Sequence, residues 1–160
     1  FKIIRQKTAS LVAACCATGA CSVISENDVI NKMEAIGYNV GMAFQIKDDI
    51  FDYGSSEEIG KPTGIDIKER KLTLPLIYTL NKVNKSQKKK IINAIKRDNQ
   101  DSRVIDEIVQ LVINEGGINY AEKKMHEYKN KALSDLKTFP DTDAKNSFIG
   151  LINYSINRKK

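Results

Sequence analysis

Breakers of regular structure are rare in this chain: three prolines and nine glycines serve 160 residues, and the apolar–polar alternation of a half-buried strand is scarce. Helices are therefore expected almost throughout. The first covers about residues 2 to 22. Ser25 can cap a second, with Asp28 three residues on in a capping-box arrangement, and this helix runs to about Tyr53. The stretch "GSSEEIGKPTGIDIKERK" then reads as a loop. Thr73 can cap the next helix, with Pro75 tolerated in its first turn. Shorter helices are expected at roughly 87 to 98 and 102 to 115, the latter closed by Gly116 and Gly117. A long amphipathic helix follows at about 118 to 138, and a last one starts near Asp143, beyond Pro140. No strand, repeat or linker stands out, so residues 1–160 read as part of one all-α domain.

Hydrophobic residues make up 41% of the chain and charged residues 29%, enough apolar material for a core and too much for disorder. The net charge of +6 favours acidic partners such as phosphates, nucleic acid or a membrane surface, without choosing among them. No apolar run is long enough to span a bilayer and no secretory signal is visible, so a cytoplasmic setting is expected. Cys15, Cys16 and Cys21 are odd in number and lack CxxC spacing. Within "LVAACCATGA" they read as small core residues in a reducing compartment. The opening "FKIIRQKTASLVAACCATGAC" starts in mid-pattern and is apolar or small nearly all round, the composition of a helix enclosed by others. The expectation is a portion of a longer protein.

Chemistry enters with "FQIKDDIFDYG", where Asp48, Asp49 and Asp52 interrupt an apolar run. At 100° per residue, Gln45, Asp48, Asp49 and Asp52 fall within about a 100° arc of one helix. Like charges one turn apart repel, so this face is destabilised unless a cation meets it. Hard oxygen ligands of this kind suit Mg²⁺, which keeps several waters and bridges to phosphates. Gly37 and Gly41 lie further back on the same stripe and are expected to leave an apolar hollow; the plainer reading is that they admit a neighbouring helix. A solvated acidic helix end is the plainer reading of the carboxylates themselves. A calcium loop is excluded, because placing Gly54 at its glycine position puts Phe51, Tyr53 and Gly60 where oxygen ligands are required. Lys7, Lys61 and Lys71 would be frustrated neighbours of the carboxylates unless both sets shared a polyanion, which a Mg²⁺-bridged diphosphate provides.

At this point the chain resembles the trans-isoprenyl diphosphate synthases, or polyprenyl synthetases. The residues that carry the resemblance are "KTASL", "GMAFQIKDDIFDY", "GKPTGIDIKERKLTLPLIY" and "YAEKKMHEYKNKALSDLKTFP", in family order and spacing over essentially the whole chain. "FQIKDDIFD" is similar to the family's second aspartate-rich motif. The resemblance implies a helical bundle of the isoprenoid synthase type, of which this chain holds the C-terminal portion. It implies that Asp48 and Asp49, supported by Asp52, bind Mg²⁺ and through it an allylic diphosphate. Lys7, Lys61 and Lys71 would hold that diphosphate as it leaves, Thr8 and Gln45 would lie near the reacting carbon, and Phe44 would offer a ring face to developing positive charge. The implied reaction condenses isopentenyl diphosphate with the allylic partner. The first aspartate-rich motif is absent, so the chain by itself is expected to be inactive, with apolar faces of residues 1 to 22 and 36 to 46 exposed. A homodimer is implied for the full-length form, with no more than transient membrane contact for product release.

Two other classes stand beside the prenyltransferase. A terpene cyclase uses similar carboxylate helices, but the loop lysines and "KTA" favour the synthase. A non-catalytic basic helical module for nucleic acid is favoured by charge alone and lacks any recognisable motif; no nucleic acid is expected as a partner. The run "KSQKKKIINAIKRDN" reads as an exposed basic face, His126 as a surface residue, and the terminal "RKK" as a frayed end.

Overall fold

Glycine decides how the first two helices meet. The computed structural model describes residues 1–23, 26–54, 63–97 and 100–158, and every regular element among them is helical. Helix α1 (Lys2–Ile4), a π-helical stretch (Arg5–Ala9) and α2 (Ser10–Cys21) follow one another with αR joints, so they run on as one rod. Helix α3 (Asn27–Phe51) lies against it. A Cβ on Gly37 would stand 2.7 Å from the Val12 carbonyl oxygen, and one on Gly41 would stand 2.6 Å from the Cα of Ala9. The glycines therefore let the two backbones touch, and no hollow is left at them; the neighbouring helix fills the stripe. The same close seam needs small partners, and Ala9 and Ala13 are buried there.

The chain divides into two compact units, with the boundaries between Lys47 and Asp48 and between Lys123 and Lys124. The first unit holds residues 1–47 and 124–158, including most of α8 (Gly117–Leu136) and all of α9 (Asp143–Asn157). Tyr128 of α8 meets the ring of Tyr38 edge-on at 6.4 Å between centroids and that of Phe1 at 6.3 Å. Ile36, Met42, Ala43 and Ile46 are buried, so the expected exposed apolar face at 36 to 46 does not exist. The expectation holds for the opening rod, where Ile3 and Leu11 are 70% and 68% exposed. The cysteines depart from their reading as core residues. Cys15 and Cys21 are exposed; Cys16 is half-buried, and its Sγ lies in the seam with α3, where a Cβ on Gly37 would stand 2.8 Å from it.

The second unit holds residues 48–123: the end of α3, then α4 (Ile65–Lys68), α5 (Leu74–Lys82), α6 (Lys85–Arg97), α7 (Ser102–Asn114) and the start of α8. Helix α7 buries Ile105, Ile108, Val109 and Val112, the i, i+3, i+4, i+7 stripe of an amphipathic helix. Burying each such side chain contributes roughly 1.5–3 kcal/mol. Asp101 caps this helix by accepting from the Arg103 N–H at 2.9 Å. Helix α6 begins two residues before the expected start because Asn84 and Gln87 cap it reciprocally, at 2.9 and 3.3 Å. The stacked rings of Tyr78 and Tyr120, 4.3 Å apart, join α5 to α8. Gly116 closes α7 with φ +79°, as its position requires. Ser25 and Lys61 lie outside the described residues.

Candidate active site

Each unit gathers part of the expected constellation. In the first, Lys7 and Thr8 fall in the π-helical stretch, a local widening of the helix that recurs at functional sites. Lys7 is exposed. Thr8 donates its hydroxyl to the side-chain carbonyl oxygen of Gln45 at 2.6 Å, joining two residues 37 apart in sequence. Gln45 is buried, so this bond orients its amide within an apolar wall. Phe44, the neighbour of Gln45, presents a ring face to the guanidinium of Arg158, 4.3 Å from the ring centroid. That face is therefore held by a protein cation, and Arg158 is ordered over it rather than frayed.

In the second unit the carboxylates close the end of α3. Asp48 is half-buried and Asp49 buried on the helix, while Asp52 stands one residue beyond Phe51, the last helical residue. The helix therefore stops just short of the end expected for it. Asp52 reaches a segment that was expected to be loop and contains the single-turn helix α4. Its backbone carbonyl accepts from Gly64 N–H at 2.8 Å, and its Oδ2 accepts from Asp66 N–H at 3.1 Å. Asp49 Oδ2 accepts from the N–H of Leu74 at 3.3 Å, the first residue of α5. Thr73 occupies the N-cap position of that helix as expected, yet its side chain does not cap. Its hydroxyl is joined instead to the buried hydroxyl of Tyr53 at 2.5 Å.

Burial pushes the Asp52 carboxyl up to about 6, opposed by the hydrogen bond from Asp66 and reinforced by the charge of Asp66. Burial also raises the Tyr53 phenol well above its ordinary range, so its proton stays on the ring oxygen. Lys71 is exposed; its ammonium bridges Glu69 and Asp66, the latter at 3.5 Å, and the Glu69 contact holds its pKa above the usual lysine value. Sequence reasoning passed over Asp66, Tyr53, Thr73 and Arg158 as parts of this arrangement. Asp66 alone left a signal, as the carboxylate inside the quoted "GKPTGIDIKERK".

The donor set fits a hard cation. Asp48, Asp49 and Asp52 offer oxygens only, and a carboxyl raised by burial and a neighbouring negative charge is relieved by a positive one. Among the described residues no group of three or more His, Cys, Asp or Glu side chains is gathered as a metal cage.

Comparison with known proteins identifies the family. The polyprenyl synthetase family model matches residues 1–112. Heptaprenyl diphosphate synthase component 2 of Bacillus subtilis is 34% identical over 157 residues, covering 98% of this chain and 44% of the relative. The crystal structure of geranylgeranyl pyrophosphate synthase from Bacteroides thetaiotaomicron superposes with a TM-score of 0.90 at 37% identity, covering 99% of this chain and 52% of that one. That of a polyprenyl synthase from Caulobacter crescentus, complexed with calcium and isoprenyl diphosphate, gives 0.86 at 31% identity, covering 99% and 48%. The chain thus spans about half the length of these relatives. Among its described residues no helix is long and apolar enough to cross a membrane. With a family model over residues 1–112 and a matching all-helical architecture, the chain belongs to the polyprenyl synthetase family.

Proposed function

We propose that the protein carrying this chain is a prenyltransferase that joins isopentenyl diphosphate to an allylic diphosphate and releases a longer trans-polyprenyl diphosphate. The observation that carries the reading is the direct hydrogen-bonding of a lysine-bearing segment to the carboxylates at the end of α3, in a chain of this family. The Caulobacter crescentus relative, bound to calcium and isoprenyl diphosphate, supports a cation and a diphosphate as occupants.

In this reading Asp48, Asp49 and Asp52 hold Mg²⁺, whose chemistry is to neutralise the diphosphate and make it a better leaving group. Lys7, Lys61 and Lys71 supply ammonium donors to the same anion and stabilise it as its bond to carbon breaks. Thr8 holds the Gln45 amide in one orientation beside the reacting groups. Phe44 shields developing positive charge, with Arg158 over one of its faces. The apolar surroundings of Gln45 exclude water from the allylic cation. The expected assembly is a homodimer in a cytoplasmic, reducing setting, consistent with the unbridged Cys15, Cys16 and Cys21.

The test is direct. The full-length protein, given Mg²⁺, radiolabelled isopentenyl diphosphate and an allylic primer, should yield elongated diphosphates. Lys71→Ala should slow the reaction by roughly two to three decades, the usual effect of losing a preorganised electrostatic contact. Absence of any elongated product from the wild type refutes the reading. A cyclised hydrocarbon product would replace it with a terpene cyclase.

A further inference from the structure

We propose that Asp49 and Asp52 serve as positioning residues for Lys71: their Oδ2 atoms clamp the 64–74 segment through its backbone amides. The clamp is built at both ends of the segment. At its start, Asp52 takes the N–H of Gly64 on its carbonyl and that of Asp66 on its carboxylate, at 2.8 and 3.1 Å. At its end, Asp49 takes the N–H of Leu74 at 3.3 Å, and Tyr53 meets Thr73 at 2.5 Å. Four contacts from residues 49 to 53 thus bracket Lys71 on either side.

Between the brackets α4 ends in a Schellman turn, with the Arg70 N–H on the Ile67 carbonyl at 3.0 Å. Arg70 has φ +58°, the one described non-glycine residue in the left-handed region, and Lys71 follows it directly. A residue with a Cβ is uncommon there outside such a helix-ending turn. Here the Lys71 N–H closes onto the Asp66 carbonyl at 2.8 Å, and Asp66 is itself tied to Asp52. The direction in which Lys71 leaves the backbone therefore depends on the carboxylates of the aspartate motif. A carboxylate oxygen has more than one lone pair, so accepting an amide at Oδ2 does not exclude a cation. The motif then has a division of labour that its spelling does not reveal: charge for the cation, and acceptor atoms for the lysine segment.

The role in catalysis rests on the prenyltransferase reading, but the clamp itself can be measured without it. Hydrogen–deuterium exchange is followed in the intact, metal-free protein for Asp49→Ala, Asp49→Asn, Asp52→Ala and Asp52→Asn. The alanine variants should speed exchange at Leu74 and Asp66 respectively by roughly tenfold, the scale of a lost hydrogen bond to a charged acceptor. The asparagine variants keep an acceptor oxygen and should restore most of the protection. Unchanged exchange in α7 shows that the fold has survived. In the transfer assay, asparagine at saturating Mg²⁺ should be faster than alanine, because it loses charge toward the cation but keeps the acceptor for the segment. Exchange at Leu74 and Asp66 that ignores the alanine substitutions overturns the proposal. So does asparagine as poor as alanine at every Mg²⁺ concentration, which would make the charge alone important. A wild type inactive in prenyl transfer, with the exchange pattern intact, overturns the catalytic role and the functional reading together while the clamp remains visible.

Discussion

Replacing Gly41 by alanine sets two effects of known sign against each other. Inside an exposed helix the change should help by about 1 kcal/mol, since glycine is the poorer helix former. At this position the new Cβ would stand 2.6 Å from the Cα of Ala9 and 3.2 Å from the Cβ atoms of Ala9 and Val12. Comfortable carbon contacts lie at about 3.5–4.0 Å, so α3 and the π-helical stretch would have to part by about 1 Å. The nearest obstacle is backbone and cannot swing away. Overpacking of this kind costs about 1–3 kcal/mol. Parting the helices also stretches the Thr8–Gln45 hydrogen bond, one residue from Ala9, for roughly 1 kcal/mol more. The net expectation is a loss of about 1–3 kcal/mol, seen as a fall in Tm of roughly 3–10 °C for a chain of this size. Gly19→Ala is the control, because nothing lies within 4 Å of the Cβ it would add. It should gain up to about 1 kcal/mol. Circular dichroism melts of the two variants decide the matter. A Gly41→Ala protein as stable as Gly19→Ala would mean that the close seam between α3 and the opening rod is wrong.

Three further outcomes follow from the structure. Because burial raises Asp52 from 3.8 to about 6, the folded metal-free chain holds a proton between those values that the unfolded chain has released. Stability should therefore fall as pH rises through that window, by less than the whole shift would give because solvent screens the partly exposed carboxyl, and Asp52→Asn should flatten the trend; urea titrations at several pH values showing parallel curves would refute it. Gly64→Ala combines a φ of +73° with a Cβ forced into the γ-methyl of Ile105, so it should lose about 2–4 kcal/mol, whereas Gly116→Ala, with φ +79° and open space around it, should lose only about 1–2. Equal losses in thermal melts would show that packing at Gly64 contributes nothing. The 160-residue chain alone, incubated with radiolabelled isopentenyl diphosphate and an allylic primer, should give no elongated product above blank, since one carboxylate helix grips a diphosphate from one side only; robust turnover would refute that.

Periodicity made the helices legible. The stripe of Ile105, Ile108, Val109 and Val112 announces α7 from spacing alone, and its neighbours follow the same rule. What escaped is what depends on distant partners. Thr73 looks like a cap from its neighbours, but its hydroxyl belongs to Tyr53, twenty residues earlier, and Asp49 accepts from the first amide of the helix, that of Leu74. The cysteines looked like core because their surroundings are small and apolar; which side of a helix is covered depends on where α3 lands, and glycines 37 and 41 decide that. The Asn84–Gln87 capping pair was local and readable, and attention to it would have started α6 at Lys85. At the site, the carboxylates were conspicuous as charges in an apolar run. Their contacts with Asp66 and Leu74 involve backbone amides, which every residue possesses and no motif spells.

The π-helical stretch at Arg5–Ala9 has a meaning in descent as well as in force. Its closing bond runs from the Ser10 N–H to the Arg5 carbonyl, so this turn houses one residue more than an α-turn does. A single-codon deletion there would let the rod continue at ordinary pitch, leaving the seam of α2 with α3 untouched. Because the wide turn already absorbs the extra residue, the turns on either side would keep the faces they present now. Relatives that differ by one residue at this point would thus share the fold and the faces of the flanking turns, and differ only within the turn itself. Alignments of such chains should place that gap between residues 5 and 9 rather than in a loop.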